Sequence, residues 1–150
     1  MLVRSLNAAE CGEVLAASRV GHLACARDGQ PYVVPMYFAY ADGHLYGFSM
    51  PGKKIEIMRA NPLVSAAFEQ RGTGRAWKSV VADGRFEELA DRIGSKSARE
   101  HAWAGLSTPA EWWVPGSLKP ATTPLPSPRG HVFFRILIDA MSGREAVDAQ

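Results

Sequence analysis

Residues 20–50 read VGHLACARDGQPYVVPMYFAYADGHLYGFSM, three runs rich in apolar, β-branched and aromatic residues that two Asp-Gly pairs separate. Asp-Gly pairs between such runs favour tight hairpin turns. The pattern predicts strands at Val20–Arg27, Tyr32–Tyr40 and Leu45–Met50, arranged as an antiparallel meander. Pro35 falls inside the second strand, where a proline cannot donate to the ladder, so it predicts a bulge or an edge position.

Helices and further strands flank this stretch on both sides. Asn7 and Glu10 are typical of a capping box, which predicts a first helix that ends near Ser18. The other predicted elements are a helix at Lys53–Asn61, strands at Leu63–Gln70, Ala76–Leu89 and His131–Ala140, and a helix at Asp91–Trp103. Asp83-Gly84 indicates a bulge or bend within its strand. Apolar spacing predicts which residues of the first two helices face inward. They are Cys11, Val14, Leu15, Ile55, Ile57 and Met58. Short strands dominate without β-α-β alternation, which favours a mainly β fold, a small barrel or sandwich with peripheral helices.

The size and composition of the chain are those of one globular domain. It has 150 residues, 47% of them hydrophobic and 21% charged, so we expect a single domain with a Pro- and Trp-rich insert at about 105–130. A net charge of +2 is too weak for a nucleic-acid binder. No membrane span or leader is visible, and Cys11 and Cys25 fit reduced thiols, so we expect a cytoplasmic protein. The histidines lack paired ligand spacing, and no metal site is expected.

The first candidate binding site is Phe48-Ser49-Met50-Pro51-Gly52-Lys53-Lys54. A strand ends there, and Lys53 and Lys54 open a helix whose N-terminal N–H groups can bind a phosphate. Two cations in the first turn oppose the helix dipole. A bound anion would remove that conflict, and Ser49 could donate a further hydrogen bond. Solvated lysines are the alternative. Neither a Walker loop nor a G-x-G-x-x-G motif is present.

The second candidate is Trp77-Lys78-Ser79-Val80. Strand alternation predicts Trp77 and Ser79 on one face and Lys78 on the other. An aromatic ring beside a hydroxyl group can line the pocket of a planar ligand, and a tryptophan of the core is the alternative.

An ordered set of motifs resembles the pyridoxamine 5′-phosphate oxidase-like family of flavin-binding split barrels, in particular its nitroimidazole-reductase-like branch. The motifs are Gly21-His22-Leu23-Ala24, Asp28-Gly29-Gln30-Pro31-Tyr32-Val33-Val34-Pro35-Met36-Tyr37-Phe38, Leu45-Tyr46-Gly47-Phe48-Ser49, Gly52-Lys53-Lys54, Asn61-Pro62-Leu63-Val64, and Trp77-Lys78-Ser79-Val80 with Gly84. The resemblance spans about Leu6 to Leu89, with a looser fit at Ser142-Gly143-Arg144.

The resemblance implies a six-stranded antiparallel split barrel of Greek-key type, which forms a homodimer with FMN at the subunit interface. The residues it assigns to the cofactor are Lys53 and Lys54 for the phosphate with Ser49 beside them, Pro35, Met36 and Tyr37 for the ring, and Trp77 and Ser79, in many members from the partner subunit. Phe48, next to Ser49, is also counted among the cofactor-binding residues. The implied activity is that of an FMN-dependent oxidoreductase, which passes nicotinamide-derived electrons to a small electron-poor substrate, nitro- or quinone-like. It assigns no catalytic side chain.

Two departures limit the resemblance. Phe48 stands where many members of the nitroimidazole-reductase-like branch carry a histidine. The substrate-binding arginine and histidine of true pyridoxamine-phosphate oxidases have no match, so we do not expect a vitamin B6 oxidase.

Other cofactors and roles stay open. A deazaflavin (F420) has a longer tail, which could use Arg71, Arg75 and Lys78. A haem could use one of four histidines, His22, His44, His101 or His131. A non-catalytic flavin-binding module is a further alternative. The insert, with Trp112 and Trp113 as speculative substrate-binding residues, is a lid, a dimer arm or a segment packed over its own barrel.

Overall fold

The computed structural model describes residues 1–89 and 132–148. Strands predominate, with two helices beside them. In chain order the elements are β1 (Leu2–Leu6), α1 (Ala8–Ala17), β2 (Val20–Arg27), β3 (Gln30–Tyr37), β4 (Ala39–Ala41), β5 (His44–Ser49), α2 (Lys53–Ala60), β6 (Leu63–Arg71), β7 (Trp77–Glu88) and β8 (Val132–Val147). The predicted helix at Asp91–Trp103 and the insert at 105–130, with His101, Trp112 and Trp113, lie outside the described residues, as does His131.

All eight strands belong to one antiparallel sheet. The order is β3-β2-β6-β7-β8-β5-β4, and β1 pairs with β8. The two ends of this path, β3 and β4, are consecutive in the chain with Phe38 between them. The sheet therefore curls into a barrel that is split between β3 and β4. The predicted mainly β, split-barrel class is confirmed, but the described part of the chain has eight strands instead of six.

The predicted strand Tyr32–Tyr40 and the predicted meander are wrong. The stretch divides at Phe38, whose side chain is buried and whose N–H donates to the Arg19 carbonyl at 2.8 Å. The Phe38 ring packs edge-on against Phe68, with 5.8 Å between centroids. This anchoring turns the chain from one edge of the sheet to the other, so β3 pairs with β2, and β4 pairs with β5.

The β2–β3 hairpin forms as its Asp-Gly pair predicts. Asp28 and Gly29 both have positive φ, 52° and 77°, as a two-residue turn of this kind requires. The register continues without a shift to Pro35, which lies opposite His22. Because β3 ends the path of paired strands, Pro35 is at an edge and does not form a bulge.

The first and last strands differ from the sequence prediction. β1 was not predicted, and β8 extends seven residues beyond the predicted end at Ala140. The extension pairs with β1, from Gly143 opposite Leu6 to Val147 opposite Leu2. The predicted irregularity in β7 is confirmed, since its register with β8 shifts between Asp83 and Gly84.

Both helices cover the barrel with the faces that their apolar spacing predicts. Asn7 caps α1, with its side chain accepting from the Glu10 N–H at 2.9 Å. The buried residues of the two helices are Cys11, Val14 and Leu15 in α1, and Ile55, Ile57 and Met58 in α2. They join one core with Leu23, Phe38, Phe68 and Phe134 inside the barrel. Within residues 1–89 and 132–148, no helix is both long enough and apolar enough to cross a bilayer.

Candidate cofactor site

The N-terminus of α2 carries two lysines and no side-chain cap. Gly52 occupies the cap position without a side-chain hydrogen bond to the helix, and Lys53 and Lys54 follow in the first turn. In the described part of the chain, neither lysine makes a salt bridge. The dipole and the free N–H groups of the first turn attract an anion, and the two ammonium groups add to that attraction.

Lys54 is half-buried beside the thiol of Cys25. Burial lowers the pKa of Lys54, and the neighbouring Cys25 thiol offsets part of that change. Burial also raises the pKa of Cys25, while the charge of Lys54 opposes the rise. A cation that has lost part of its hydration and has no carboxylate partner is unfavourable. A bound anion would supply the missing charge.

Lys53 lies over the aromatic ring of Tyr32, with its Nζ atom 4.9 Å from the ring centroid. This distance is within the range of a cation–π contact. Tyr32 is paired with Cys25 across the β2–β3 hairpin, so both lysines sit over the same pair of residues. The sequence analysis missed Cys25 and Tyr32 as members of this site, although the hairpin register already placed them side by side.

Ser49 and Phe48 point to opposite faces of β5. Ser49 is buried, and its hydroxyl donates to the Met50 carbonyl at 2.9 Å, so in this geometry its hydrogen is used within the chain. The Phe48 ring stacks on Phe133, with centroids 5.7 Å apart and planes at 28°. Phe48 thus belongs to a small apolar cluster with Tyr46 and Leu89, away from the barrel interior.

Pro35, Met36 and Tyr37 lie together at the edge of the sheet, but their side chains divide. Met36 is buried in the core, whereas Pro35 and Tyr37 are half-buried. The Tyr37 hydroxyl accepts a hydrogen bond from Arg19 Nη1 at 3.4 Å, and the Arg19 guanidinium lies 6.0 Å from the Tyr37 ring. Because β3 is an edge strand, alternate backbone groups face away from β2 and are available to a ligand.

Trp77 and Ser79 are half-buried on one face of β7, and Lys78 lies on the opposite face, 3.8 Å from Glu145. This alternation confirms the prediction for the strand. A cavity of about 440 Å³ at this end of the barrel is lined by Gln70, Arg71, Gly72, Thr73, Ala76, Trp77, Lys78, Glu145 and Ala146. Arg75 is exposed nearby and does not line it.

The two candidate sites are far apart in one chain. Cys25, beside Lys54, is paired with Val64 near the start of β6, and Trp77 is paired with Arg71 at its end. At about 3.3 Å per residue, the seven steps along β6 from Val64 to Arg71 span about 23 Å. The structure therefore brings Lys53 and Lys54 together but does not bring Trp77 and Ser79 to them.

A sequence model described as pyridoxamine 5′-phosphate oxidase matches residues 7–145. The chain belongs to this family. The match covers the α2 lysines, the edge strand β3 and the Trp77–Ser79 segment, and it extends from the start of α1 into β8. The expected family membership is confirmed.

Similarity to individual proteins and solved structures agrees with this membership. An uncharacterized protein of Rhizobium meliloti (strain 1021) is 44% identical over 146 residues, which cover 97% of each chain. The crystal structure of a FAD-binding protein from Mesorhizobium loti is 62% identical, covers 98% of this chain and 100% of its own, and has a TM-score of 0.82. A Bacteroides thetaiotaomicron protein named for 5-nitroimidazole antibiotic resistance shares the fold, at 20% identity, coverage of 97% and 89%, and a TM-score of 0.69.

Proposed function

We propose that this member of the pyridoxamine 5′-phosphate oxidase family is a flavin-dependent oxidoreductase that holds the flavin phosphate at Lys53 and Lys54. The observation that carries the proposal is the pair of cations at the N-terminus of α2. Lys54 is partly desolvated, and neither lysine has a salt-bridge partner in the described residues. A phosphate provides the charge that this site lacks and accepts hydrogen bonds from the first-turn N–H groups.

The site is completed by a second copy of the chain in this proposal. One chain separates the lysines from Trp77 and Ser79 by about 23 Å along β6. A homodimer would let the Trp77 face of one protomer approach the α2 lysines of its partner. Exposed apolar side chains on the barrel, such as Val33, Leu63 and Val81, support such an interface because they would be covered in it.

The protein's part in the reaction is to bind and orient. A bound flavin would supply hydride transfer from a nicotinamide to a small electron-poor substrate, nitro- or quinone-like. The α2 lysines would hold the phosphate, and the edge backbone near Pro35 and Tyr37 would hydrogen-bond the ring edge. Trp77 would cover a planar face. The substrate class rests on the family resemblance alone, and Phe48 occupies the place of the histidine of the nitroimidazole-reductase-like branch.

FMN is the flavin that the sequence analysis predicts, and FAD is the second candidate. The Mesorhizobium loti relative, named as FAD-binding, favours FAD at 62% identity. Both cofactors carry the same ring and first phosphate, so both suit the lysine pair. The buried free thiols of Cys11 and Cys25 suit a reducing compartment, and we place the protein in the cytoplasm.

The other cofactors of the sequence analysis have less support. A deazaflavin could use Arg71 and Lys78 at the 440 Å³ cavity. For a haem, neither His22 nor His44 lines the 440 Å³ cavity. A non-catalytic flavin-binding module has the same site and differs only in reactivity. It would bind flavin, yet its flavin would stay oxidised after anaerobic addition of a reduced nicotinamide.

The absorption spectrum of the purified protein is the first test. Bands near those of free flavin are expected, and heat extraction followed by mass spectrometry would identify FMN or FAD. Anaerobic NADH or NADPH should bleach the bands. A colourless protein that also takes up no FMN or FAD on titration would contradict the proposal.

The lysine site has a sharper test in the contrast between FMN and riboflavin, which lacks the phosphate. Lys54→Gln should weaken FMN binding about tenfold or more, because a charge-assisted hydrogen bond contributes about 1.5–3 kcal/mol. Riboflavin binding should be unchanged. Arg27→Gln removes an equal charge from the β2–β3 turn and should affect neither flavin. Equal losses for FMN and riboflavin in Lys54→Gln would show that Lys54 does not hold the phosphate.

A further inference from the structure

The Tyr32 side chain is held in place by the barrel before any ligand binds. Tyr32 lies on β3 opposite Cys25 of β2, close to the Asp28-Gly29 turn that sets this register. Its side chain is half-buried and packs against the hydrophobic core. The ring is therefore a fixed part of the barrel wall, positioned by core packing and by the β2–β3 ladder.

Lys53 lies against this ring and does not pair with the acid that its own helix offers. Glu56 is three residues further along α2, a spacing at which lysine and glutamate side chains can form an ion pair. In the described part of the chain, neither Lys53 nor Glu56 forms a salt bridge. The Lys53 Nζ atom instead lies 4.9 Å from the Tyr32 ring centroid. The Lys53 side chain thus extends from α2 towards the β2–β3 hairpin.

An aromatic ring can hold this lysine without competing with a bound anion. The face of the ring carries partial negative charge that attracts the ammonium group, whereas a carboxylate in its place would repel a phosphate. An ammonium group has three N–H donors, and those that point away from the ring can bind phosphate oxygens. A lysine that is already ordered also loses less side-chain entropy when the ligand binds.

We infer that Tyr32 is a positioning residue, which holds Lys53 ready for a phosphate group and thereby favours phosphorylated over unphosphorylated flavins. The inference rests on the proposed phosphate site at the N-terminus of α2. In that site Lys54 is half-buried beside Cys25, the residue that is paired with Tyr32. The two strands of one hairpin therefore position the two lysines, one strand for each.

The affinities for FMN and for riboflavin test this role. Tyr32→Leu should weaken FMN binding about two- to fivefold, the factor that a cation–π contact at an exposed site contributes, and leave riboflavin binding unchanged. Tyr32→Phe keeps the ring and loses a hydroxyl that makes no hydrogen bond in the described residues, so it should bind FMN as the wild type does. Tyr40→Leu is the matched control, since Tyr40 is also half-buried against the same core but lies beside α1. It should affect neither flavin.

A Lys53→Gln background separates this role from a purely structural one. With the ammonium group removed, Tyr32→Leu should no longer change FMN affinity, because the ring would have no cation to hold. Equal losses in both backgrounds, or equal losses for FMN and riboflavin, would assign Tyr32 to packing alone and overturn the inference. Tighter FMN binding by Tyr32→Leu would also overturn it, since the ring would then hold Lys53 away from the phosphate.

Failure of the flavin proposal would give a different pattern. A wild-type protein that binds neither FMN nor riboflavin would contradict the proposed function. Inorganic phosphate, titrated at constant ionic strength and followed by the amide NMR signals of Lys53 and Lys54, would then decide the role of Tyr32. Weaker phosphate binding in Tyr32→Leu, with full affinity in Tyr32→Phe, would support the inference. Equal affinity in the wild type and both variants, or no saturable binding in any of them, would overturn it.

Discussion

Gly84 lies at the bulge between β7 and β8, where the two strands approach each other closely. A methyl group built there would overlap the Leu137 carbonyl oxygen and lie 2.9 Å from Cγ2 of Ile136. The overlap is with backbone, which cannot turn aside as a flexible side chain can. The missing Cβ therefore allows the two strands to remain paired where their register shifts.

Gly84→Ala should lower the free energy of unfolding by about 2 kcal/mol, because overpacking of this kind typically costs about 1–3 kcal/mol. Urea denaturation measures the change. Gly12→Ala is the matched control, since its added methyl would lie 3.6 Å from the Tyr40 hydroxyl, an ordinary contact. In the interior of α1 it should stabilise the protein by about 0.5–1 kcal/mol. A Gly84→Ala protein as stable as the wild type would contradict the close approach.

The residues of the α2 site show which single positions the sequence could predict. Lys53 and Lys54 were predicted because a strand end, a turn and a helix start are local features of the chain. Cys25 and Tyr32 were missed because they enter the site only when α2 packs on the β2–β3 hairpin. That packing depends on the core contacts of Ile55 and Met58, which no local pattern specifies.

At the scale of helices and strands, elements that local sequence signals define were predicted, and elements that depend on distant residues were missed. α1 and β2 match their predicted bounds closely, since a cap and a two-residue turn fix them within a few residues. β1 was missed because four of its five residues are exposed, which leaves no alternation to detect. Its pairing partner, the C-terminal half of β8, was missed because its buried residues, Gly143 and Ala146, are small and do not follow the two-residue alternation of a strand. The break at Phe38 was missed because it depends on Phe68, which is distant in the chain.

The N-terminus of α1 is held by one residue. Asn7 accepts from the Glu10 N–H at 2.9 Å, and its own side-chain amide donates to Glu10 Oε1 at 3.0 Å. Asn7→Ala should therefore lower the free energy of unfolding by about 1 kcal/mol, as measured by thermal or urea denaturation. Asn7→Ser keeps an accepting oxygen without placing a charge beside Glu10, and should remain within about 0.5 kcal/mol of the wild type. Equal losses in both variants would assign the effect to something other than capping.

At the scale of the whole molecule, the stability of the barrel depends on pH through the carboxylates of Glu87 and Glu88. Hydrogen bonds from Arg135 lower the pKa of Glu87, and those from Arg59 lower the pKa of Glu88. As the pH falls, these two carboxylates therefore bind protons in the unfolded chain before they do so in the folded chain. The stabilisation is complete above the ordinary carboxyl pKa of about 4.5 and is lost as pH falls through the lowered folded values.

A Glu87→Gln, Glu88→Gln double variant should therefore lose less stability than the wild type between pH 7 and pH 3. The difference should be about 1 kcal/mol or less, because both ion pairs are partly exposed and screened. Urea denaturation at the two pH values gives the comparison. Glu13→Gln, an exposed position on α1, should follow the wild type. A double variant with the full acid dependence would show that other groups cause it.

If a second chain completes the flavin site, a variant that prevents dimerisation should also lose flavin affinity. Val81 is 40% exposed on the same face of β7 as Ser79, so Val81→Glu would place a charge in the proposed interface. Light scattering should then show the 16.3 kDa monomer in place of a particle of twice that mass, and flavin affinity should fall at least tenfold, because each site would lose the partner's Trp77. Leu2→Glu, at the exposed start of β1, should remain a dimer with full affinity. A wild-type monomer that binds flavin tightly would contradict the two-chain site, since one chain keeps Trp77 about 23 Å from the lysines.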